Sequence, residues 1–245
     1  MNQIKFDLKF EDVNRLTDGY EIQDAIFNAY NEGMDKTVFI VRSNKRANQY
    51  NQQIRNNILG YENEITSGDF IMIVKNNYFW LKDAPKVGFI ANGDICEVLE
   101  IFSFKDLYGF RFAEVKLRLV DYEEQAPFES VLLLDTLHSE APSLTYEEGN
   151  RLYHAVAEDY AEERSKYKRL LAIKSNKYFN ALQVKFSYAL TCHKTQGGQW
   201  DNVFVEQPYL PEGEDISYLR WLYTAITRAQ KKLFLIGFKD DYFEN

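Results

Sequence analysis

Tyr188-Ala-Leu-Thr-Cys-His-Lys-Thr-Gln-Gly-Gly-Gln-Trp-Asp201 runs directly into the apolar stretch Val203-Phe-Val205. The pattern predicts a strand over 184–190, a glycine-containing turn and a second strand over 202–206. Further on, Leu219-Arg-Trp-Leu-Tyr-Thr-Ala-Ile-Thr-Arg-Ala229 falls on an amphipathic helix predicted for 216–229, and a central-type strand is predicted over 232–238. Strand, turn, strand, helix and strand in this order are the grammar of an α/β lobe with a parallel sheet.

The same grammar appears at the start of the chain. Asp18 is placed to cap a helix carrying Ile22, Ala25, Ile26, Ala29 and Tyr30 on one face, ended by Gly33. Thr37-Val-Phe-Ile-Val41 is a short, unbroken apolar run, as expected of a strand covered on both faces. Asn44 then opens a second helix with Ala47, Tyr50, Ile54 and Ile58 on one side, closed by Gly60.

Near residue 61 the character changes. Short strands are predicted over 69–75, 78–81, 94–104, 110–120 and 127–135, separated by turn residues such as Asn76-Asn77 and Asn92-Gly93. The apolar phase slips by one residue at Ala113-Glu114, which predicts a β-bulge there. Five short strands in this span point to a small antiparallel barrel or curled sheet. A long helix is predicted next: Thr145 and Glu148 form a capping-box pattern, and Leu152, Val156, Tyr160, Tyr167 and Leu171 keep a helical stripe. The domain organisation expected is an α/β lobe in two parts, 1–60 and 181–245, with a β-barrel and helix over 61–180 inserted between them.

Composition narrows the function classes. The 245 residues are 45% hydrophobic and 27% charged, with aromatics at 16% and a net charge of −8. No apolar run is long enough for a membrane span, so no membrane association is expected. Cys96 and Cys192 have no metal-type spacing, and no metal site is expected; a reducing, cytoplasmic setting fits such cysteine usage. An acidic balance disfavours a simple DNA-binding domain, which holds nucleic acid by phosphate neutralisation. It is compatible with a motor that concentrates cations in one groove.

Three segments carry chemistry. In Val41-Arg-Ser-Asn-Lys-Arg-Ala-Asn48 a buried strand passes into a helix N-terminus, where open α/β sheets bind ligands and free N–H groups favour phosphate. In the second segment Thr191 and His193 offer short donors just after a strand, and Gly197-Gly198 lets the backbone approach a ligand closely. No Ser or Cys nucleophile signature accompanies His193, which argues against a hydrolase built on it. In the third, Arg228 stands near the end of a helix, as a C-terminal charge or as a bidentate fork for a phosphate across a cleft.

Taken together these segments resemble the second lobe of superfamily 1 DNA helicases of the UvrD/RecD type. The Arg-Ser-Asn stretch is similar to the region following that family's motif IV, Thr191-Cys-His-Lys-Thr-Gln-Gly-Gly-Gln-Trp200 to motif V, and Tyr223-Thr-Ala-Ile-Thr-Arg-Ala229 to motif VI. The inserted β-segment, with Gly68-Asp69 and Ala91-Asn-Gly-Asp94, resembles the small barrel that RecD-like members insert in this lobe. The resemblance implies a RecA-like fold of P-loop-NTPase type and an ATP-dependent motor that moves along single-stranded DNA, with a DNA-repair context. It assigns Arg228 as the catalytic arginine finger, Gly197, Gly198 and Gln199 as nucleotide contacts, and Thr191, His193, Ser43 and Asn44 as DNA contacts. Family members often carry Glu where this chain has Gln199.

The cofactors implied are ATP and Mg2+. The sequence contains no G-x-x-x-x-G-K-[ST] and no evident Walker B strand, so both would be held mainly by an N-terminal helicase lobe, the expected partner. The expectation is a fragment holding half a catalytic site and inactive alone. The competing expectation is a non-hydrolytic helicase-like module that binds DNA or a DNA-repair protein.

Overall fold

The computed structural model describes residues 4–82, 88–211 and 213–244. The chain divides into two units: residues 1–62 with 187–245, and residues 63–186.

The first unit is an α/β lobe. Strands β1 (Val13–Leu16), β2 (Thr37–Val41), β8 (Ala189–Thr191), β9 (Trp200–Glu206) and β10 (Ala229–Ile236) form a sheet in the order β1-β10-β9-β2-β8, every pairing parallel. All five residues of β2 are buried, matching its unbroken apolar run. A row of rings crosses the sheet: Phe39 stacks on Phe204 at 5.6 Å and Phe204 on Phe234 at 4.3 Å. Helix α1 (Gly19–Glu32) starts where expected, with Asp18 accepting from the Tyr20 and Glu21 amides. Helix α2 (Asn44–Gln53) is N-capped by Ser43 and runs into a π-helical turn, Ile54–Ile58.

β8 is an edge strand only 3 residues long. Its outer backbone groups are satisfied by a side chain: Asn51 of α2 donates from Nδ2 to the Ala189 carbonyl at 2.9 Å and accepts from the Ala189 amide at 2.7 Å. Asn51 and Ala189 are both buried, so this clamp replaces a missing neighbouring strand.

The second unit is a closed barrel of β3 (Phe70–Ile73), β4 (Ile95–Leu107), β5 (Phe110–Leu119), β6 (Phe128–Leu133) and β7 (Leu182–Phe186). Four pairings are antiparallel; β6 and β7 pair in parallel. Ile71, Val98, Ala113, Val115, Leu117 and Val184 fill its core without exposure. Helix α3 (Tyr146–Glu158) begins with the expected Thr145/Glu148 capping box and buries Leu152 and Val156 in a cluster with Phe110, Phe112, Val131 and Leu133.

Four expectations are corrected. The strand expected over 184–190 is two strands, β7 in the barrel and β8 in the parallel sheet, separated at Ser187 and Tyr188. Residues 78–81 form a turn: the Asn77 carboxamide accepts from the Phe79 and Trp80 amides and takes them out of any ladder. The bulges lie on β4, between Val98 and Glu100 and between Ile101 and Ser103, whereas β5 runs past β6 without a slip at Ala113–Glu114. Phe112 and Ala113 are both buried, on opposite faces of the strand: Phe110 and Phe112 pack in the cluster with α3, and Ala113 lies on the other face, so the apparent slip is a change of covered face. Finally, the long helix is broken. α3 stops at Glu158, and α4 (Lys166–Ser175) restarts with Ser165 accepting from the Lys168 amide. Tyr167 and Leu171 are exposed, so the apolar stripe does not continue.

Candidate functional site

All the candidate site residues fall in the α/β unit, and strand direction sorts them onto two edges of its sheet. Thr191 ends β8, and Ser43 and Asn44 follow the end of β2, so these three lie at the carboxyl ends of the strands. Gly197, Gly198 and Gln199 precede β9, and Arg228 precedes β10, so these four lie at the amino ends. The length of β9, 7 residues, separates the edges, which at ~3.3 Å per residue is roughly 20 Å. His193 is exposed on the short 3-10 turn Cys192–Thr195 that begins the descent from one edge to the other.

At the amino edge the two glycine-flanking segments are tied together. Arg228 donates from Nε to the Thr224 carbonyl at 3.0 Å, from a terminal nitrogen to the Gly198 carbonyl at 3.4 Å, and to the Thr227 hydroxyl at 3.1 Å. Its own carbonyl accepts from the Trp200 amide at 3.0 Å. The guanidinium is half-buried. Five N–H groups are available to an arginine, so capacity for a further acceptor remains. The glycines are explained separately: Gly197 has φ +87°, the left-handed region, and a Cβ on Gly198 would run into the Trp200 indole. Gln199 is exposed and accepts from Gln230 at 3.1 Å.

At the carboxyl edge Ser43 spends its hydroxyl oxygen on the Arg46 amide at 3.2 Å. Arg46 pairs with Glu206 at the end of β9, and the Tyr50 hydroxyl donates to the same carboxylate at 2.7 Å. The Glu206 carboxylate holds the Arg46 guanidinium firmly charged, above its ordinary value. Arg46 thus braces the loop, leaving the exposed Arg42 and Lys45 to face solvent beside Ser43.

Two further residues were not singled out by sequence reasoning. Lys194, in the turn after Thr191, is half-buried, and burial holds its ammonium below the usual lysine range. Asn51 fixes β8, and with it Thr191, through a contact spanning 138 positions, which no local pattern signals. The neighbouring Cys192 thiol is buried, donates to the Trp221 carbonyl, and is pushed up by that burial. Among the described residues no cluster of His, Cys, Asp and Glu could hold a metal ion, and no helix is long and apolar enough to cross a membrane.

Residues 186–236 match the family model of the UvrD-like helicase C-terminal domain. No curated protein matches the chain. Among solved structures it is similar to Pif1 helicase from Candida albicans, with 11% identity and a TM-score of 0.44 over 89% of this chain and 50% of that one. A structure described as two coordinating Pif1 helicases at forked double-stranded DNA gives 11% identity and a TM-score of 0.43, over 92% and 45% of the two chains. The chain therefore spans about half the length of these helicases. The matched segment contains β8, β9, α5 (Ile216–Ile226) and β10, together with Thr191, Gly198 and Arg228. Over that segment the chain is similar to the UvrD-like helicase C-terminal domain.

Proposed function

We propose that the chain is the C-terminal motor lobe of an ATP-dependent DNA helicase, which couples hydrolysis in a site shared with a first lobe to translocation along single-stranded DNA and unwinding. The observation that carries this reading is the junction at the amino edge, where Arg228 is hydrogen-bonded to the Gly198 carbonyl beside Gln199. Thr191 and Ser43 stand at the carboxyl ends of β8 and β2, on the opposite edge of the same sheet. A sheet is stiff along its strands, so a displacement imposed at one edge is carried to the other.

Arg228 suits a phosphate partner: it is half-exposed, permanently charged and retains unused N–H donors. Gly198 and Gln199 would meet the ribose, and ATP and Mg2+ would be seated mainly by the first lobe. The bound nucleotide and metal supply the phosphoryl group and neutralise much of its charge. This chain's part is to present Arg228 to the γ-phosphate oxygens, and to hold the strand's backbone with Thr191, His193, Ser43 and Asn44. Such backbone contacts give little sequence preference.

A second reading is favoured by the three hydrogen bonds Arg228 already makes within the lobe. In that reading the arginine is structural, and the chain is a non-hydrolytic module that binds DNA or a repair protein. The isolated chain tests between them. The motor-lobe reading expects no ATPase activity with or without single-stranded DNA, and strand binding that is weak, salt-sensitive and indifferent to sequence. Hydrolysis abolished by Arg228→Ala would show that the chain is not half a site. Tight binding that survives high salt would favour the module.

A further inference from the structure

The barrel unit carries a cleft of about 830 Å3 between the residue 75–82 turn and helices α3 and α4. Lys75, Lys82 and Lys174 line it, and among the described residues no carboxylate does. In a chain of net charge −8 such a patch is a marked local reversal. All three lysines are exposed, and among the described residues none is paired with a carboxylate. The capped first turn of α3 already holds its own Glu148, so the lysines, not the helix terminus, set the sign of the cleft.

The aromatic residues lining the cleft are of two kinds. Tyr153 and Phe179 belong to the wall: their rings meet edge-on at 6.0 Å, and both pack against the barrel cluster. Tyr78 and Tyr146 are 65% and 85% exposed, far more than packing would leave. Tyr78 is also held in place. Its ring stacks on Phe89 at 5.1 Å, its hydroxyl accepts from Asn76 at 3.4 Å, and Asn76 itself accepts from the Asn92 amide at 2.7 Å. An exposed ring fixed from behind is a stacking platform that loses little freedom on binding.

We propose that this cleft holds a segment of single-stranded nucleic acid, with backbone phosphates on Lys75, Lys82 and Lys174 and bases stacked on Tyr78 and Tyr146. Cations supply attraction without sequence, and flat rings accept any base. An acidic peptide would satisfy the lysines but would leave two exposed tyrosines, Tyr78 held in place, without a task. The choice of nucleic acid as occupant leans on the motor-lobe reading; the cleft itself belongs to the other unit.

The test uses the full 245-residue chain and a fluorescein-labelled oligothymidylate, read by anisotropy over a salt series. Tyr78→Ala with Tyr146→Ala is expected to weaken binding by ~30-fold or more. Lys75→Gln, Lys82→Gln and Lys174→Gln together are expected to flatten the slope of log affinity against log salt by ~2, three phosphates at ~0.7 each. The pair Tyr78→Phe and Tyr146→Phe keeps both rings and is expected to bind like the unaltered chain, which separates stacking from any effect on folding. An oligonucleotide carrying 5-iodouracil is expected to photocrosslink to Tyr78 or Tyr146. Ser43→Ala with Thr191→Ala tests the motor-lobe reading and leaves those crosslinks in place. If the barrel variants bind as the unaltered chain does while Ser43→Ala with Thr191→Ala fails to bind, the cleft proposal is overturned and the motor-lobe reading stands. No binding by the unaltered chain, or full displacement of the oligonucleotide by a polyglutamate peptide, also overturns it.

Discussion

Replacing Asn51 removes both hydrogen bonds that close the outer edge of β8. The Ala189 amide and carbonyl, bonded at 2.7 and 2.9 Å, then lose their partners in a site where Ala189 is 1% exposed. Each buried, unsatisfied group costs ~1–3 kcal/mol, so Asn51→Leu, which fills the volume but offers no partner, is expected to destabilise the α/β unit by ~2–5 kcal/mol. Asn51→Ala opens space for a water to bridge the two groups and is expected to cost less than Asn51→Leu. At ~2–4 °C per kcal/mol, the leucine variant should melt roughly 5–20 °C lower. Urea unfolding followed by tryptophan fluorescence reports on this unit, because Trp200 and Trp221 are both buried in it. Hydrogen exchange at the Ala189 amide should lose its protection in the same variants. If both substitutions shift stability by less than ~0.5 kcal/mol, the clamp is not what holds β8, and the placement of Thr191 needs another cause.

Gly198→Ala forces a Cβ into the Trp200 indole and is expected to lower the melting temperature of the α/β unit; Gly197→Ala, strained by φ +87° in open space, is expected to cost ~1–2 kcal/mol, read by the same urea curves. In the barrel, Lys177, Tyr178 and Ser103 hold the Glu114 carboxylate down to about 2 from its ordinary 4.5. A depressed folded-state value stabilises above the unfolded one, so that contribution is fully present above about 4.5 and is lost as pH falls toward about 2. Glu114→Gln should flatten the acid limb of barrel stability in that window, and an unchanged limb would show that the Lys177 contact contributes nothing.

Much of the fold was legible because its signals are local. The Asp18 cap, the run Thr37–Val41 and the Thr145/Glu148 box each act within a few residues, and each appears where the pattern put it. The misreadings share a cause in tertiary context. The apolar run after Leu182 gives no sign that Ser187 and Tyr188 divide it between a barrel strand and a parallel strand. Asn77 converts an apparent aromatic strand into a turn through its own side chain. For the site, motif spacing brought Gly198 and Arg228 to attention, and they meet. That Ser43 and Thr191 stand at the other edge depends on strand direction, which periodicity does not encode. The three hydrogen bonds of Arg228 were likewise invisible, and they raise the expected stability cost of losing it to ~1–2 kcal/mol, above that of a bare helix-end charge.

Arg228→Ala, measured in a protein that carries both lobes, tests the central claim most directly. Steady-state ATPase activity stimulated by single-stranded DNA is compared with thermal melting of the same variant. The motor-lobe account predicts hydrolysis slowed by ~10³–10⁵-fold, equivalent to ~4–7 kcal/mol of transition-state stabilisation, while melting moves by only a few degrees. Arg228→Lys should recover little, since an ammonium lacks the planar fork. Near-normal turnover accompanied by a large fall in stability would contradict the account and make Arg228 a structural brace between α5 and Gly198.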